Sequence, residues 1–339
     1  KELDTRRARL AYELNRFWDA VDLYDRHPDD LVLRVSKGWA LLSAGWVNAS
    51  KAEFLGILAT RPHNRDALAG YRWAQEAGPL SLLLVQTYLD FDRAHSKRQL
   101  RSAYLRYLFA RTFTTLVYTR TDSVDLGAGD VDFSENMLGL KLFYRFDERH
   151  SMDVHGLSFR NNDRATDGGV AAGVRYWYQP DRRWSLGAGC GGTNYPLAST
   201  SQVTIDGGCQ VWPDWRVDLM GLFVKQSIGR QRSISKGTTA LKGTVTCTPN
   251  RRFLLSLSGW AGERQLAYDS QDMYALNLLD IFGTGWSVLA TYRLAHPAKV
   301  LAKYGENVYT PYVVAGSTVR PGPTEQTEKV MSVGLDYSF

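Results

Sequence analysis

Residues 331–339 read MSVGLDYSF, and they end the chain with a strict alternation of side-chain type. Every second position is apolar or aromatic: Met331, Val333, Leu335, Tyr337 and Phe339. A period of two puts these five side chains on one face of a β-strand. The same period recurs over residues 138–146, 170–178 and 286–294. We therefore predict that residues 80–339 form antiparallel strands, each with one apolar face.

The connections between the predicted strands alternate between short and long. The short ones fall at residues 110–112, 147–151, 180–183, 212–215, 248–252 and 281–285. The long ones fall at residues 92–99, 122–136, 160–168, 193–201, 226–237, 262–271 and 295–328. A transmembrane β-barrel has this rhythm, because its periplasmic turns are tight and its outer loops are longer. About 14 strands are predicted, and 16 is the alternative if residues 268–280 and 307–319 are also strands.

The composition agrees with a barrel and excludes several other classes. Hydrophobic residues make up 44% of the 339 positions, including 18 Tyr, 13 Phe and 10 Trp, yet no apolar run approaches the roughly 18 residues of a transmembrane helix. Three cysteines are too few for a disulfide scaffold. The net charge of +6 is spread along the chain, so no basic arm for nucleic acid is indicated. A closed sheet can lie in hydrocarbon, which favours the outer membrane of a Gram-negative bacterium.

Residues 1–79 have a different period, close to that of a helix, and are predicted to be periplasmic. Pro28 and Pro62 lie 34 residues apart, the length of a tetratricopeptide (TPR) repeat. Small, large and terminating residues stand where such a repeat needs them: Gly38, Leu41, Ser50, Phe54, Ile57 and Pro62. A generic helical bundle is the alternative. The aromatic residues predicted to dock a partner are Trp18, Tyr24, Trp39, Phe54 and Tyr71, with core packing as the alternative for Trp18 and Trp39.

No catalytic or metal-binding motif stands out, and neither a metal nor a cofactor is expected. The six histidines are assigned to turns, loops or strand ends, and none has the spacing of a metal site. Asp153 and His155, two apart on one strand, are the only hint of a barrel enzyme. Cys190 and Cys209 are predicted to face each other across a hairpin, either as a disulfide or as two lipid-facing thiols. The glycines of residues 187–192 are predicted either to leave space in the lumen or to let a neighbouring chain come close.

Assigning the faces by the apolar alternation gives a net basic interior. The residues predicted to line the lumen and contact its cargo are Arg106, Lys141, Arg145, Arg175, Trp177, Lys242, Arg252, Trp260 and Arg293. The predicted inward acids are fewer: Asp206, Asp336 and Asp218. Charges that line a pore set its selectivity, so the pattern favours an anion-preferring pore. In the alternative, these arginines pair with acids across the lumen.

Helical repeats with Gly38, Leu41, Phe54 and Pro62, followed by a barrel ending in MSVGLDYSF, resemble the TPR-porin exporters of bacterial exopolysaccharides. These are the cellulose (BcsC), poly-N-acetylglucosamine (PgaA) and Pel (PelB) export proteins, whose barrels typically have 16 strands. The resemblance implies that this chain is the last repeats plus the barrel. It also implies that the terminal Phe339, as in other outer-membrane barrels, is read by the assembly machinery.

The resemblance further implies the partners. They are an exopolysaccharide chain, a periplasmic or lipoprotein component of the secretion complex, an inner-membrane synthase acting indirectly, and outer-membrane lipid. A basic lumen favours cellulose-like, Pel-like or anionic polymers over a cationic one, and the loop at residues 295–328 is the expected gate. Two other functions stay open: a surface receptor for phage or adhesion, and a general anion-preferring porin.

Overall fold

The computed structural model describes residues 2–338 with short gaps. The residues outside the description are 1, 14–16, 44–45, 77–79, 92–96, 110–111, 125–131, 148, 164–165, 182, 213, 229–233, 251, 266, 270–273, 276–280, 296–297, 316–317, 322–323 and 339. The predicted assembly signal Phe339 therefore lies outside the described residues. Five helices come first in the chain: α1 (Glu2–Glu13), α2 (Phe17–Tyr24), α3 (Leu31–Ser43), α4 (Val47–Thr60) and α5 (Arg65–Glu76).

The strands follow the helices without interruption by further helices in the described part. They are β1 (Leu80–Phe91), β2 (Arg98–Phe109), β3 (Thr112–Ser123), β4 (Ser134–Arg145), β5 (His150–Asn161), β6 (Val170–Tyr178), β7 (Trp184–Asn194), β8 (Ala198–Trp212), β9 (Trp215–Ile228), β10 (Ile234–Asn250), β11 (Phe253–Gly262), β12 (Tyr268–Asp269), β13 (Tyr274–Ala275), β14 (Ile281–Ala295), β15 (Ala298–Thr310), β16 (Tyr312–Ala315), β17 (Thr318–Pro321) and β18 (Gln326–Ser338).

Fourteen of these strands close into one antiparallel barrel, which confirms the strand count. The order is sequential from β1 to β11 and then β14, β15 and β18, and the barrel closes where β18 pairs with β1. In that closing pair Ser81 lies opposite Ser338 and Phe91 opposite Glu328. The alternative of 16 strands is wrong, because β12–β13 and β16–β17 are separate two-stranded hairpins.

One barrel strand was missed, and one segment was wrongly taken as barrel. The predicted connections leave residues 272–280 as a barrel strand, but the described part of that segment, β13, pairs only with β12. Residues 281–285 were predicted as a short turn and 295–328 as a long loop. In the structure 281–295 is one strand, and β15 (Ala298–Thr310) is a barrel strand inside the predicted loop. The sequence of β15 lacks a clear alternation of apolar outward and polar inward residues. Its inward face carries the apolar Leu301 between Lys299 and Lys303, and its outward face carries the charged Glu306.

The predicted long loop at residues 193–201 is also wrong. β7 and β8 are joined by residues 195–197 alone, and the Tyr195 N–H donates to the Ala198 carbonyl at 2.7 Å. This shift moves the hairpin centre, so Cys190 lies opposite Val203 and Cys209 opposite Trp184. The predicted pairing of the two thiols therefore fails, and all three cysteines are free.

Outward positions of the barrel strands carry exposed apolar side chains over most of its circumference. One example from each of nine strands is Leu84, Leu105, Leu116, Leu140, Val154, Ile205, Phe223, Leu257 and Val333. The sequence places Trp184, Trp212, Trp215 and Trp286 beside predicted short turns, where a periplasmic aromatic girdle is expected. The first three are exposed beside short turns of the structure, whereas Trp286 is exposed near the start of β14, toward the long loops, which corrects its predicted position.

Helices that follow each other in the chain pack against each other. The backbones of α3 and α4 approach closely at the small residues that the repeat pattern singled out. A Cβ on Gly38 of α3 would lie 2.6 Å from the ring of Phe54 in α4, and the Ser50 hydroxyl donates to the Gly38 carbonyl at 2.8 Å. Gly70 of α5 faces the same ring from the other side. This geometry confirms the predicted helix contact, while the assignment to the TPR family stays a prediction. No helix in the described part of the chain is long and apolar enough to cross a bilayer.

The side chains of Tyr24 and Phe54 are enclosed among the helices, which corrects their assignment as docking residues. Phe54 is fully buried with Ile57, and Trp39 meets its ring edge-on at a centroid distance of 5.6 Å. Trp39 and Tyr71 are partly buried against this cluster. The backbone of Trp18 is helical, and its side chain lies outside the description.

Candidate functional site

The barrel encloses a cavity of about 870 Å³ that is basic in its charged lining. Five basic residues line it, namely Arg106, Lys141, Lys242, Arg264 and Lys303, and one acidic residue, Glu328. Tyr104, Phe143 and Trp260 add aromatic surface. This part of the interior matches the predicted basic lumen, and it brings together Arg106, Lys141, Lys242 and Trp260 from the predicted set.

A charged network covers the wall of β4 to β6, toward the short turns. The Asp153 carboxylate accepts a hydrogen bond from the ring of His155 at 2.8 Å (Oδ1 to Nδ1) and lies 3.7 Å from the Lys141 ammonium. The Trp177 indole N–H points at its other oxygen at 3.4 Å. His155 thus lies in mid-strand and not at a strand end. Asp153 and His155 serve the lumen wall, because Lys141 and Trp177 share the same carboxylate.

A second pair continues this network across β6 and β8. The Arg175 guanidinium lies 2.6 Å from the Asp206 carboxylate, with its Cζ 4.1 Å from the centroid of the Trp177 ring. Arg175 is almost fully buried. Glycines on facing strands make room for these groups, because a Cβ on Gly187 would collide with Asp206, and one on Gly189 would lie 3.1 Å from the Arg175 side chain. The predicted role of these glycines is confirmed.

The remaining predicted basic residues fall into three situations. Arg106 lies 3.6 Å from Asp336, which also has Lys299 at 3.9 Å. Arg145 lies on the inward face near the end of β4. Arg293 stands near the short-turn end of β14, with its Cζ 5.5 Å from the centroid of the Trp73 ring in α5. The last helix therefore contacts the barrel at that end.

Arg252 does not line the lumen, which corrects its assignment. It is exposed in the turn between β10 and β11, where the Asn250 side-chain oxygen accepts its backbone N–H at 2.9 Å. The alternation was extended across a turn, and a turn breaks the period of two. The pairing alternative holds for Arg106, Lys141 and Arg175, each of which lies near a carboxylate.

The segment after β11 enters the barrel and adds a basic residue that the sequence did not indicate. Gly262 has φ of 98°, a left-handed conformation that favours glycine, and there the chain turns inward. Arg264 follows, buried and with its Cζ 4.4 Å from the centroid of the Trp260 ring, while the Lys242 ammonium lies 5.0 Å from the same centroid. Ala267 packs on Leu222 and Ala240. The positive φ of Gly262 has no signature in the alternation of the strands.

The interior is divided along the barrel axis. At the long-loop end three buried apolar clusters lie among buried charged side chains such as Arg98, Glu135 and Glu328. The first includes Val117, Met137, Phe159, Tyr195 and Ile228; the second Leu89, Phe91, Leu100, Phe282 and Tyr309; the third Leu222, Val224, Ala240 and Ala267. The ion pairs of Lys141 with Asp153 and of Arg175 with Asp206 lie toward the short turns. Apolar clusters and buried charged side chains together narrow the long-loop end of the interior, a feature that the strand alternation does not predict.

Comparison with known proteins gives fold-level likeness only. No family model matches the chain, and no curated protein matches it. Among solved structures it is similar to the CymD monoaromatic hydrocarbon channel (10% identity, 77% of this chain and 88% of that chain, TM-score 0.48). It is also similar to a Pseudomonas aeruginosa FadL homologue (10%, 77% and 89%, 0.46) and to the NanC porin (11%, 76% and 100%, 0.41). With TM-scores below 0.5, these likenesses carry no argument about cargo.

Proposed function

We propose that this chain is an outer-membrane pore that conducts a secreted exopolysaccharide from the periplasm to the cell surface. The observation that carries the proposal is the lining of the lumen by basic and aromatic side chains, with the ion pairs of Lys141 and Arg175 toward the end where α5 contacts the barrel. The apolar outward face supports the membrane location, because a closed sheet satisfies its backbone hydrogen bonds in hydrocarbon. Short turns at the helical end support a periplasmic position for the helices.

The side chains that line the lumen suit a polymer that must move through the pore without being bound tightly. Asp153 already neutralises Lys141, which lines the cavity, so this cation offers moderate contacts to a passing chain. Lys242 and Arg264 flank the Trp260 ring, whose free surface can stack on sugar C–H faces. Many weak contacts of this kind favour conduction, since a tight site would hold the polymer. The basic excess favours a neutral or anionic polysaccharide.

The apolar clusters and the described residues 262–265 and 267, whose Arg264 and Ala267 pack inside the barrel, narrow the route at the long-loop end. We propose that this segment is the gate, in place of the loop at residues 295–328, which contains the barrel strand β15. Polymer arriving from the short-turn end then displaces residues 263–267, whose interior contacts run through Arg264 and Ala267. The energy for transport comes from synthesis at the inner membrane, and the chain itself guides the polymer passively.

The proposal is tested by deleting the gene and measuring exopolysaccharide in the medium and in the periplasm. Retention of polymer in the periplasm is expected, with return to the medium when the unmodified chain is supplied again. Normal secretion in the deletion strain contradicts the exporter proposal. Complementation with Arg252→Gln serves as a matched control, because this exposed turn residue is not in the lumen.

A general anion-preferring porin is the second candidate, favoured by five basic residues and one acidic residue around the cavity. The two functions differ in what a polymer does to ionic current. In planar bilayers an exporter is expected to show long current blocks with anionic oligosaccharides added on the short-turn side. A porin for small solutes is expected to show steady current and no change in secretion when the gene is deleted.

A further inference from the structure

Three arginines stand in one row on the outside of the barrel, across four consecutive strands. The registers place Arg101 of β2 opposite Arg120 of β3, Arg120 opposite Asn136 of β4, and Asn136 opposite Arg160 of β5. All four residues are on the outward face, alternating with inward residues such as Val117 and Phe159. Neighbouring strands are about 4.8 Å apart, so the row is continuous along the surface.

The row lies at the edge of the apolar face, on the side of the long loops. The next outward positions toward the short turns are Ala103, Tyr118, Leu138 and Ser158, followed by apolar residues on each strand. The Tyr118 hydroxyl donates to the Asn136 side-chain oxygen at 2.8 Å, which ties the last ring of the apolar face to the polar row. This is the level at which lipid headgroups meet a barrel.

The charges in the row are not balanced by their neighbours. Arg101 and Arg120 are directly opposite each other, an arrangement that destabilises a strand pair when nothing offsets it. Arg120 pairs with Asp122 at 2.6 Å, and Arg101 donates to the Gln99 side-chain oxygen at 3.0 Å, which carries no charge. Asp132 also acts electrostatically on Arg120, so among the described residues three guanidinium groups meet two carboxylates and the row keeps a net positive charge.

Among the described residues, outward arginines of the barrel strands are confined to this sector. Outward cations elsewhere are lysines, such as Lys225 of β9 and Lys329 of β18, which lies opposite Asp90 and Glu306. On β6, β7 and β8, which the structure describes in full over residues 170–178, 184–194 and 198–212, the outward positions carry no charged side chain. An arginine that only reached for water at the membrane edge would be expected all around the barrel. A local cluster above an apolar surface instead fits one ligand that has both acyl chains and anionic groups.

We propose that Arg101, Arg120 and Arg160 form a binding site for the phosphate groups of lipid A in the outer leaflet. Guanidinium groups bind phosphate through two parallel hydrogen bonds, so an arginine row is better suited than a single cation. The acyl chains of the same lipid would cover Tyr118, Leu138 and the apolar residues below them. This inference rests on the proposed outer-membrane location, with the long loops outside.

The test compares lipid binding by two triple variants of the full chain, folded in neutral detergent. R101Q/R120Q/R160Q removes the row, and R149Q/R183Q/R252Q removes the same charge from exposed short turns. Each is titrated with bisphosphorylated lipid A and with its dephosphorylated form, and bound lipid is counted by native mass spectrometry. We expect the first variant to bind bisphosphorylated lipid A about tenfold more weakly, and the second to bind it like the unmodified chain.

Two results would overturn the proposal: equal binding by the row variant and the unmodified chain, or equal binding of the dephosphorylated lipid. Inorganic phosphate at millimolar concentration is expected not to compete, and displacement by it would also contradict a lipid site. Insertion into phosphatidylcholine vesicles, read by heat-modifiable gel migration, distinguishes a failure of the proposed membrane location from a failure of the proposed lipid A site. A chain that does not insert contradicts the membrane location, whereas one that inserts without phosphate preference contradicts this inference alone. If R101Q/R120Q/R160Q does not fold, the single variant Arg101→Gln is compared with the unmodified chain in the same lipid titrations.

Discussion

Arg175 and Asp206 form a buried ion pair inside the barrel, with 2.6 Å between Nη2 and Oδ2, on two strands separated by the glycine-rich strand β7. The pair bridges β6 and β8 over the inward face of that strand, where Gly187 and Gly189 leave the space that side chains would take. It therefore holds three strands in register and fixes a charge on the lumen wall.

Breaking this pair on one side is expected to destabilise the barrel. Asp206→Asn leaves Arg175 buried without its counter-charge, a change that costs about 3–5 kcal/mol in comparable buried pairs. The measurement is equilibrium unfolding in urea from phospholipid vesicles. The double variant Arg175→Met/Asp206→Leu should recover most of the loss, since it removes both charges. A single variant as stable as the unmodified chain would contradict the role of the pair.

Gly262→Ala is expected to move the inward segment and raise single-channel conductance. A Cβ at this position would collide with the Thr239 carbonyl oxygen, and the φ of 98° is strained for alanine. The chain after residue 262 must then leave its contacts at Trp260. Gly237→Ala is the matched control, because a Cβ there meets no atom within 4 Å. Equal conductance in the two variants would mean that the segment does not restrict the lumen.

Reversing a lumen charge is expected to reverse or abolish anion preference. Lys242 lines the cavity beside Trp260, so Lys242→Glu exchanges a positive for a negative charge at the narrow part of the route. The reversal potential in a salt gradient across a planar bilayer reports the change. Arg252→Glu carries the same change of charge in an exposed turn, and its reversal potential should match that of the unmodified chain.

Phe54→Ala is expected to destabilise the helical segment without opening the barrel. The ring is fully buried between Gly38 and Gly70, and removing a buried phenylalanine costs about 3–5 kcal/mol. Hydrogen exchange of α3 to α5 should accelerate, while the amides of the barrel strands stay protected. Leu55→Ala, one position along the same helix and exposed, should leave exchange unchanged. Loss of barrel protection as well would show that the two parts fold as one unit.

The helical segment is also expected to loosen at high pH. Burial lowers the pKa of Lys37, but hydrogen bonds from its ammonium to the carboxylates of Asp25 and Glu53 outweigh burial, and the net pKa is raised. The folded segment therefore holds this proton more tightly than the unfolded one. Its contribution is complete below pH about 10.4 and is lost as pH rises through the folded pKa. Hydrogen exchange of α3 and α4 between pH 9 and 11, corrected for intrinsic rates, measures the loss, and Lys37→Met should remove the dependence.

The barrel could be predicted from the sequence wherever one face of a strand meets lipid. Strands such as Ser134–Arg145 alternate because hydrocarbon selects every second residue, and their number followed from that rhythm. β15 escaped because Leu301 and Glu306 reverse the expected faces. The connection at residues 195–197 escaped because Thr193 and Thr200, polar like loop residues, bond to each other inside the barrel at 2.8 Å.

The candidate site was only partly predictable. The alternation along one strand shows whether a side chain faces the lumen or the lipid, but not which residue of another strand it contacts. It placed Arg106, Lys141 and Arg175 inward, yet their pairing with acids depends on registers between strands. Arg264 could not be found at all, since it follows the positive φ of Gly262 and keeps only an isolated backbone bridge to Phe282, outside the regular strands whose alternation can be read. Arg252 was misplaced because alternation has no meaning inside a turn.

The closing pair of strands has a consequence for how the chain assembles. Thr87 and Ser332 share a hydrogen bond at 2.9 Å although 245 positions separate them. Until the final strand arrives, both β1 and β15 present unpaired edges, which are sites of aggregation in any sheet. The entropy of joining such distant segments must be met in one late step, so folding is slow and exposed to misassembly. A helper that shields β1 until β18 is delivered would therefore shorten the time for which these edges are exposed.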